Sequence, residues 1–154
     1  MTSAVVSALH VLALAIGLPS VFLRGRALKG PLDKGPLDAE HLRRLLAADN
    51  VWGVAAGLWI ATGVLRAFGG LEKGSPFYLH STLFWVKLDL FAAILALEIW
   101  PMVTFIRWRT QRRRGQAPDT SRARAFYVIN HVEMVLVVVI VFVASFMARG
   151  FGLR

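Results

Sequence analysis

The stretch VLVVVIVFV, residues 135–143, decides the fold class of this chain of 154 residues. Such β-branched residues favour strands in soluble proteins, but an unbroken apolar run in lipid must satisfy its own backbone hydrogen bonds, which favours a helix. Three further apolar stretches also approach the roughly 20 residues that cross the hydrocarbon core. The sequence therefore predicts an all-α integral membrane four-helix bundle, one domain over residues 1–154, with spans at about residues 4–23, 47–68, 78–106 and 125–147.

Composition supports this class and excludes several others. Hydrophobic residues make up 56% of the chain, more than a soluble domain of this size can bury, so the lipid bilayer is the expected partner of these residues. The net charge of +9 lies in loops between spans rather than on one soluble face, and no nucleic-acid binding is expected. The absence of cysteine excludes disulfides, thiolate metal sites, iron–sulfur clusters and covalently attached c-type haem.

Loop charges predict the orientation of the spans. Two loops are rich in arginine and lysine, whereas the loop between spans two and three carries only Lys73 and nothing basic precedes span one. Because basic loops stay in the cytoplasm, both termini are expected on the non-cytoplasmic side. The basic residues behind this prediction are Arg24, Arg26, Lys29, Lys34, Arg43 and Arg44 in the first loop, and Arg107, Arg109, Arg112, Arg113, Arg114, Arg122 and Arg124 in the second.

The first basic loop ends where a helix is expected to begin. Residues 29–38, KGPLDKGPLD, form a tandem of Gly-Pro turns, and Asp38 is a suitable N-cap for the polar segment after it. We expect that polar segment to continue as helix into span two.

Ionisable side chains at membrane depth are costly, so they are candidate functional residues. One group falls in the outer half of the bilayer, with His10 on span one, Lys87 on span three, and Arg66 and His80 closer to the boundary. His10 is either a buried histidine bonded to the backbone or a ligand of haem or a metal. Arg66 and His80 can instead simply extend to the headgroups, as basic side chains near a boundary commonly do.

A second group falls in the cytoplasmic half. Glu98 on span three lies at roughly the depth of His131 and Glu133 on span four, with Asp49 of span two nearer the surface. Because His131 and Glu133 leave their helix in different directions, only one of them is expected to face Glu98. This inner polar layer is either an inter-helix hydrogen bond or half of a proton path.

Small and aromatic residues mark expected contact surfaces. Gly53 and Gly57 form a small-xxx-small face on span two, which lets another helix approach closely. Trp52, Trp59 and Trp100 are expected at interfaces or lipid headgroups. Both features suit a helix-packing protein.

Several segments together resemble a bacterial family of predicted four-helix inner-membrane proteins, the domain-of-unknown-function family 2214. The resemblance extends over nearly the full length and implies a multi-pass protein of the bacterial inner membrane. It is carried by Leu9-His10, by AADNVWGVAAGLWIATGVLRAF (residues 47–68), by FYLHSTLFWVKL (residues 77–88) and by FMARGFG (residues 146–152).

More distantly, the layout looks like the membrane protoporphyrinogen oxidases and the copper-resistance CopD-like proteins. Those small bundles also have a histidine in span one and a Trp-x-Lys motif on a later span, here WVK at residues 85–87. The resemblance implies a b-type haem or porphyrin near His10 and Lys87. The protoporphyrinogen oxidases carry further histidines near the end of span one, where this chain has Phe22, Leu23 and Arg24.

Two functions remain open at this point. The protein is either a packing or accessory subunit of a larger respiratory or photosynthetic membrane assembly, or a redox module that binds b-type haem. In the second case His10 is the axial ligand, Lys87 and Arg66 pair the propionates, and His80 is the nearest second ligand although about two turns too shallow. The sequence has no catalytic signature of a soluble enzyme, so enzymatic activity is not favoured. A transporter is disfavoured by the lack of internal repeats and broken helices.

Overall fold

A computed structural model describes residues 1–30, 36–71 and 73–153 of the chain. Residues 31–35, with Lys34 and most of the tandem Gly-Pro turns, lie outside the described residues, as do residues 72 and 154. Every regular element in the described part is a helix. The helices are α1 (Thr2–Lys29), α2 (Ala39–Phe68), α3 (Ser75–Leu79), α4 (Thr82–Arg113) and α5 (Ala123–Ala148).

Four of these helices, α1, α2, α4 and α5, are long and apolar enough to cross a membrane. The prediction of an all-α chain with four apolar helices is thereby confirmed. The helices extend beyond the predicted spans at the charged ends, because α1 continues to Lys29, α2 already begins at Ala39 and α4 continues to Arg113. At the other end of α4 the predicted span was too long, since Ser75–Leu79 forms the separate short helix α3.

The start of α2 follows its N-cap. A side-chain oxygen of Asp38 accepts a hydrogen bond from the backbone N–H of His41 at 2.8 Å, and the helix runs without a break from there into the apolar span, as the sequence predicts. That backbone hydrogen bond, together with one to the His41 ring, lowers the pKa of Asp38. The charged cap therefore persists on mild acidification, and its contribution to the helix is lost only as the pH falls through this lowered pKa.

The two ends of the bundle differ. Four spans bring both termini to the same end, where α3 also lies and where the backbone N–H of Thr82 donates to the carbonyl of Gly152 at 2.8 Å. We call this the α3 end. The opposite end holds the basic segments, Arg107–Arg114 among them, and we call it the arginine-rich end.

The helices do not close into a complete ring. α1 packs closely against α2 and also against α5, and α4 packs against α5, whereas the backbones of α2 and α4 hardly approach each other. Only side chains bridge that gap, including the rings of Trp59 and Phe91, with centroids 6.0 Å apart, and those of Phe68 and Phe84, 6.3 Å apart. The bundle is thus open along one side, between α2 and α4.

A glycine allows the close packing of α1 and α2. A Cβ atom at Gly17 would lie 3.2 Å from the ring of Trp52 and 3.3 Å from the Cβ of Ala55. Trp52 and Trp59 are both buried inside the bundle. The expectation that they lie at interfaces or contact lipid headgroups is therefore wrong. Trp100 is substantially exposed on α4.

The Gly53 and Gly57 face lies elsewhere. Both glycines are exposed, and a Cβ atom at either would meet nothing within 4 Å. No described helix of this chain therefore uses the small-xxx-small face. The rest of the outer surface is largely apolar, which suits contact with lipid, and its exposed side chains include Val54, Val64, Ile99, Val135 and Phe142.

Gly17→Leu tests the close contact between α1 and α2. The added side chain collides with Trp52, and overpacking of this kind costs about 1–3 kcal/mol, so we expect a lower thermal unfolding midpoint in detergent. Gly53→Leu is the matched control, since it places the same side chain on a helix of the same bundle in open space. Equal midpoints for the two variants would show that α1 and α2 do not pack as described.

Candidate functional sites

Arg24 is a large charged side chain that is fully buried near the arginine-rich end. Its side chain is only 1% exposed, although the sequence reasoning counted it among the solvated loop charges that set the orientation. That assignment was wrong because α1 does not end at residue 23. The helix carries Arg24 inward, one turn beyond Ser20, on the face that packs against the other helices.

The guanidinium of Arg24 meets acidic side chains from three other helices. Its Nη1 donates to Glu98 Oε1 at 2.6 Å and to Asp49 Oδ1 at 3.2 Å. Its Nη2 donates to Glu98 Oε2 at 3.0 Å and to Glu133 Oε2. The two glutamates, from α4 and α5, thus share one nitrogen and lie side by side.

The amide of Asn130 and a second guanidinium, that of Arg109, complete the arrangement. Arg24 Nε donates to Asn130 Oδ1 at 2.7 Å, and Asn130 Nδ2 donates to the carbonyl of Val21 at 3.1 Å. Arg109 Nη2 donates to the second oxygen of Asp49. We call Arg24, Asp49, Glu98, Arg109, Asn130 and Glu133 the Arg24 cluster.

Local sequence makes room for the Arg24 cluster. The residue after Arg24 is Gly25, and a Cβ atom there would lie 2.7 Å from Asn130 Nδ2, so only glycine lets α5 bring its amide this close. Five hydrogen-bond donors of Arg24 form a fixed fork that suits several carboxylates at once, which lysine could not do. The arrangement can hold four helices in register and can keep charges paired inside the membrane.

The inner polar layer is only partly brought together. Glu98 and Glu133 meet at Arg24, but His131 stands apart from them. Its Nδ1 donates to the carbonyl of Tyr127 at 2.8 Å, and its ring lies against the Tyr127 ring with centroids 4.1 Å apart. Glu133, rather than His131, is therefore the α5 residue that shares a partner with Glu98.

A second candidate site lies at the α3 end, at the open side of the bundle. It is a cavity of about 310 Å³, and it shares lining residues with a smaller cavity of about 110 Å³ between α2 and α4. We call it the His10 pocket. It brings together basic side chains of three helices and the α3 loop over aromatic walls, namely His10, Arg66, Lys73 and Lys87 with Trp59, Phe77, Tyr78 and Phe84.

The hydrogen bonds of His10 define its tautomer. The hydroxyl of Thr62 has one proton, which it donates to the carbonyl of Leu58 at 2.7 Å, so it must accept from His10 Nδ1 at 2.9 Å. In the neutral ring Nε2 is then the nitrogen that carries the lone pair, the form in which histidine binds metals. The ring also lies beside that of Trp59, with centroids 5.8 Å apart.

His80 does not join the other three residues proposed from the sequence to bind a cofactor. It follows α3, its side chain is exposed, and its Nδ1 donates to the carbonyl of Pro76 at 2.7 Å. It is not part of the lining of the His10 pocket. Lys73, which the sequence reasoning used only for orientation, does line it, and its ammonium also donates to the carbonyl of Ala148 at 2.8 Å and lies 4.3 Å from the Phe77 ring centroid.

A family model described as a predicted membrane protein, domain of unknown function 2214, matches residues 2–152. The chain belongs to this family. No curated protein and no solved structure matches it. This member of family 2214 is accordingly a multi-pass membrane protein, and its site residues must be judged from their own chemistry.

The sequence of this family member did contain a signal that Arg24 could be buried. A basic residue directly followed by Gly25, within a segment that remains favourable for helix up to Lys29, can lie inside the bundle as well as beyond it. What identifies a buried arginine is a supply of acidic partners at matching depth, and Glu98, Glu133 and Asp49 provide it.

Arg24→Met tests the importance of the Arg24 cluster for stability. Removing the guanidinium leaves carboxylates buried without their partner, a loss that typically costs about 3–5 kcal/mol, so we expect severe destabilisation or failure to assemble in detergent. Arg26→Met removes an exposed arginine two residues away in the same helix and is the matched control. If both variants unfold at the same temperature as the original protein, Arg24 is not buried among acids.

Proposed function

We propose that this family 2214 member binds a b-type haem or a closely related anionic porphyrin in the His10 pocket. The observation that carries the proposal is that His10, Arg66 and Lys87, from three different helices, line a single pocket. His10 would be the ligand of the iron, and Arg66 and Lys87 would pair the propionate carboxylates.

The chemistry of the pocket fits such a ligand. The Thr62 hydroxyl holds His10 with its lone pair on Nε2, which is the tautomer that a histidine ligand of iron would need. The walls are apolar and aromatic, and no described residue in the lining is acidic, so a flat apolar body with negative groups suits them. When bound, haem supplies one-electron chemistry, and the residues of this chain bind and orient it.

The opening between α2 and α4 supports an amphiphilic ligand rather than a water-soluble one. The smaller cavity lies between these helices and is lined by Trp59, Phe68, Phe84 and Phe91. Because the side of the bundle faces lipid there, an apolar molecule can enter from the bilayer while its charged groups remain near Arg66 and Lys87. The cavity volume lies at the lower end of the range for small-molecule pockets.

The membrane and orientation that we propose follow from the loop charges. The arginine-rich end faces the cytoplasm of a bacterial inner membrane, and the termini, α3 and the His10 pocket face the opposite side. The asymmetry of basic residues between the two ends supports this orientation.

Titration of the detergent-purified protein with hemin tests haem binding. We expect a Soret band that shifts and saturates at one haem per chain, and His10→Ala should abolish the shift or weaken binding by about tenfold or more, as expected for loss of a ligand. His80→Ala is the matched control, because that histidine is exposed and does not line the pocket. A protein that shows no saturable shift, or a His10→Ala variant that binds like the original, would remove the proposal.

Metal-free protoporphyrin separates the ligand role of His10 from the anion-pairing role of the basic residues. This porphyrin has the propionates and lacks the iron, so Lys87→Gln should weaken its binding by about tenfold, as expected for one lost charge-assisted hydrogen bond, whereas His10→Ala should change it little. Equal binding of the porphyrin by the original protein and by Lys87→Gln would contradict the pairing of propionates by Lys87.

A second candidate function is that of an accessory subunit in a larger membrane assembly. The observation that favours it is the exposed small-residue face of α2, which no described helix of this chain covers. A small-xxx-small face is a common contact surface for another membrane helix.

Gly57→Leu tests this second function. The bulkier side chain keeps α2 intact within the chain because its Cβ has open space, but it prevents close approach of a foreign helix. We expect proteins that co-purify under mild solubilisation to be lost in Gly57→Leu and retained in Val54→Leu, which changes an exposed apolar side chain of the same helix. A protein that purifies alone in every detergent would contradict an accessory role.

A further inference from the structure

The charges in the Arg24 cluster do not balance. Its ionisable members are the guanidiniums of Arg24 and Arg109 and the carboxyl groups of Asp49, Glu98 and Glu133. With all of them ionised the cluster carries one excess negative charge, and an uncompensated charge inside a membrane protein is costly. One bound proton would neutralise it.

The hydrogen bonds indicate which carboxyl group has the fewest contacts with a positive partner. Asp49 has two arginines, since Arg24 and Arg109 each bind one of its oxygens. Glu98 binds Arg24 through both oxygens. Glu133 binds Arg24 through Oε2 alone, and no donor from the described residues reaches its Oε1, although this atom is fully buried.

Glu133 and Glu98 also accept hydrogen bonds from the same nitrogen, Arg24 Nη2, so their carboxyl groups are neighbours. Two carboxylates cannot form a hydrogen bond without a proton, because both can only accept. A neutral carboxyl group at Glu133 supplies the missing donor and removes the excess charge, and a buried neutral O–H is far less costly than a buried negative charge.

We propose that the Arg24 cluster is a proton-binding site that holds one proton at neutral pH, carried by Glu133 and shared with Glu98. Glu133 contacts Arg24 from α1, and the other groups of the cluster are Asp49 from α2, Glu98 and Arg109 from α4, and the neutral Asn130 on its own helix. The proposal does not depend on haem, because none of these residues lines the His10 pocket.

Exchange of this proton with water has a direction in the structure. The Glu133 side chain is 0% exposed, whereas that of Glu98 is 16% exposed and that of Arg109 is 25% exposed. Glu98 is therefore the member of the pair through which the proton can leave the buried cluster. A site of this kind can take up and release a proton in step with another process in the membrane.

Infrared spectroscopy of the protein in lipid vesicles tests the proposal. We expect the carbonyl stretch of a protonated carboxylic acid to be present at pH 7, where exposed carboxyl groups are ionised, and to shift in D₂O as a carboxylic acid band does. Glu133→Gln should remove this band, because glutamine keeps the size and neutrality of the protonated side chain without its acid group. Glu40→Gln is the matched control, since Glu40 is an exposed carboxylate paired with Arg43 and Arg44, and the band should be unchanged.

A second variant and a measurement on the original protein keep the test decisive if Glu133→Gln does not fold. Glu98→Gln removes the excess negative charge of the cluster, so Glu133 should ionise as a partner of Arg24 and the band should be lost. Asp89→Asn should leave it unchanged, because Asp89 is exposed on α4, away from the cluster. An original protein without any carboxylic acid band at pH 7, or a band that survives in folded Glu133→Gln, would overturn the proposal.

Discussion

The structure of this family 2214 member depends on one buried guanidinium. Arg24 of α1 binds acidic groups of α2, α4 and α5, so a single side chain connects all four membrane-length helices. Helices in lipid gain little from the hydrophobic effect between them, because lipid tails are as apolar as their side chains. A charged group that must be paired is then a strong constraint, since any shift in the register of one helix would leave a buried charge without its partner.

This constraint gives the bundle two unlike ends. Near the arginine-rich end the cluster and an aromatic group around Phe105, Trp108 and Phe126 hold the helices together. Towards the α3 end the gap between α2 and α4 is bridged by rings rather than by backbone packing. The His10 pocket occupies that gap. The proposed haem site therefore lies beside the bridging rings, and the proposed proton site lies among the paired charges.

Much of the fold could be predicted from residues whose structure depends on their neighbours in the chain. The apolar run at residues 135–143 and the Asp38 cap act through neighbours in the chain, so their structure could be predicted from the sequence alone. Depth along a helix is also a local quantity, and for this reason Glu98 and Glu133 could be grouped before their contacts were known. Contacts around the helix axis are not local. Gly53 and Gly57 did not reveal which face of α2 turns inward. The inward face instead carries Trp52 and Trp59, which α1 buries, and Gly17 makes the space beside Trp52.

The burial of Arg24 was not predicted because the positive-inside rule describes the basic residues of a loop as a group. Here it was applied to each basic residue separately. The preference of basic residues for the cytoplasmic side is statistical, and a single arginine at a helix end satisfies it whether solvated or buried. Only the acidic residues on other helices distinguish the two cases.

The most direct test of the account follows the Nε–H of Arg24, which donates to Asn130. It can be observed by nuclear magnetic resonance of protein labelled with ¹⁵N arginine, and Arg24→Lys assigns the signal. The account predicts that this signal persists after transfer to D₂O, when those of exposed arginines such as Arg112 and Arg113 have exchanged; exchange of Arg24 together with them would contradict it.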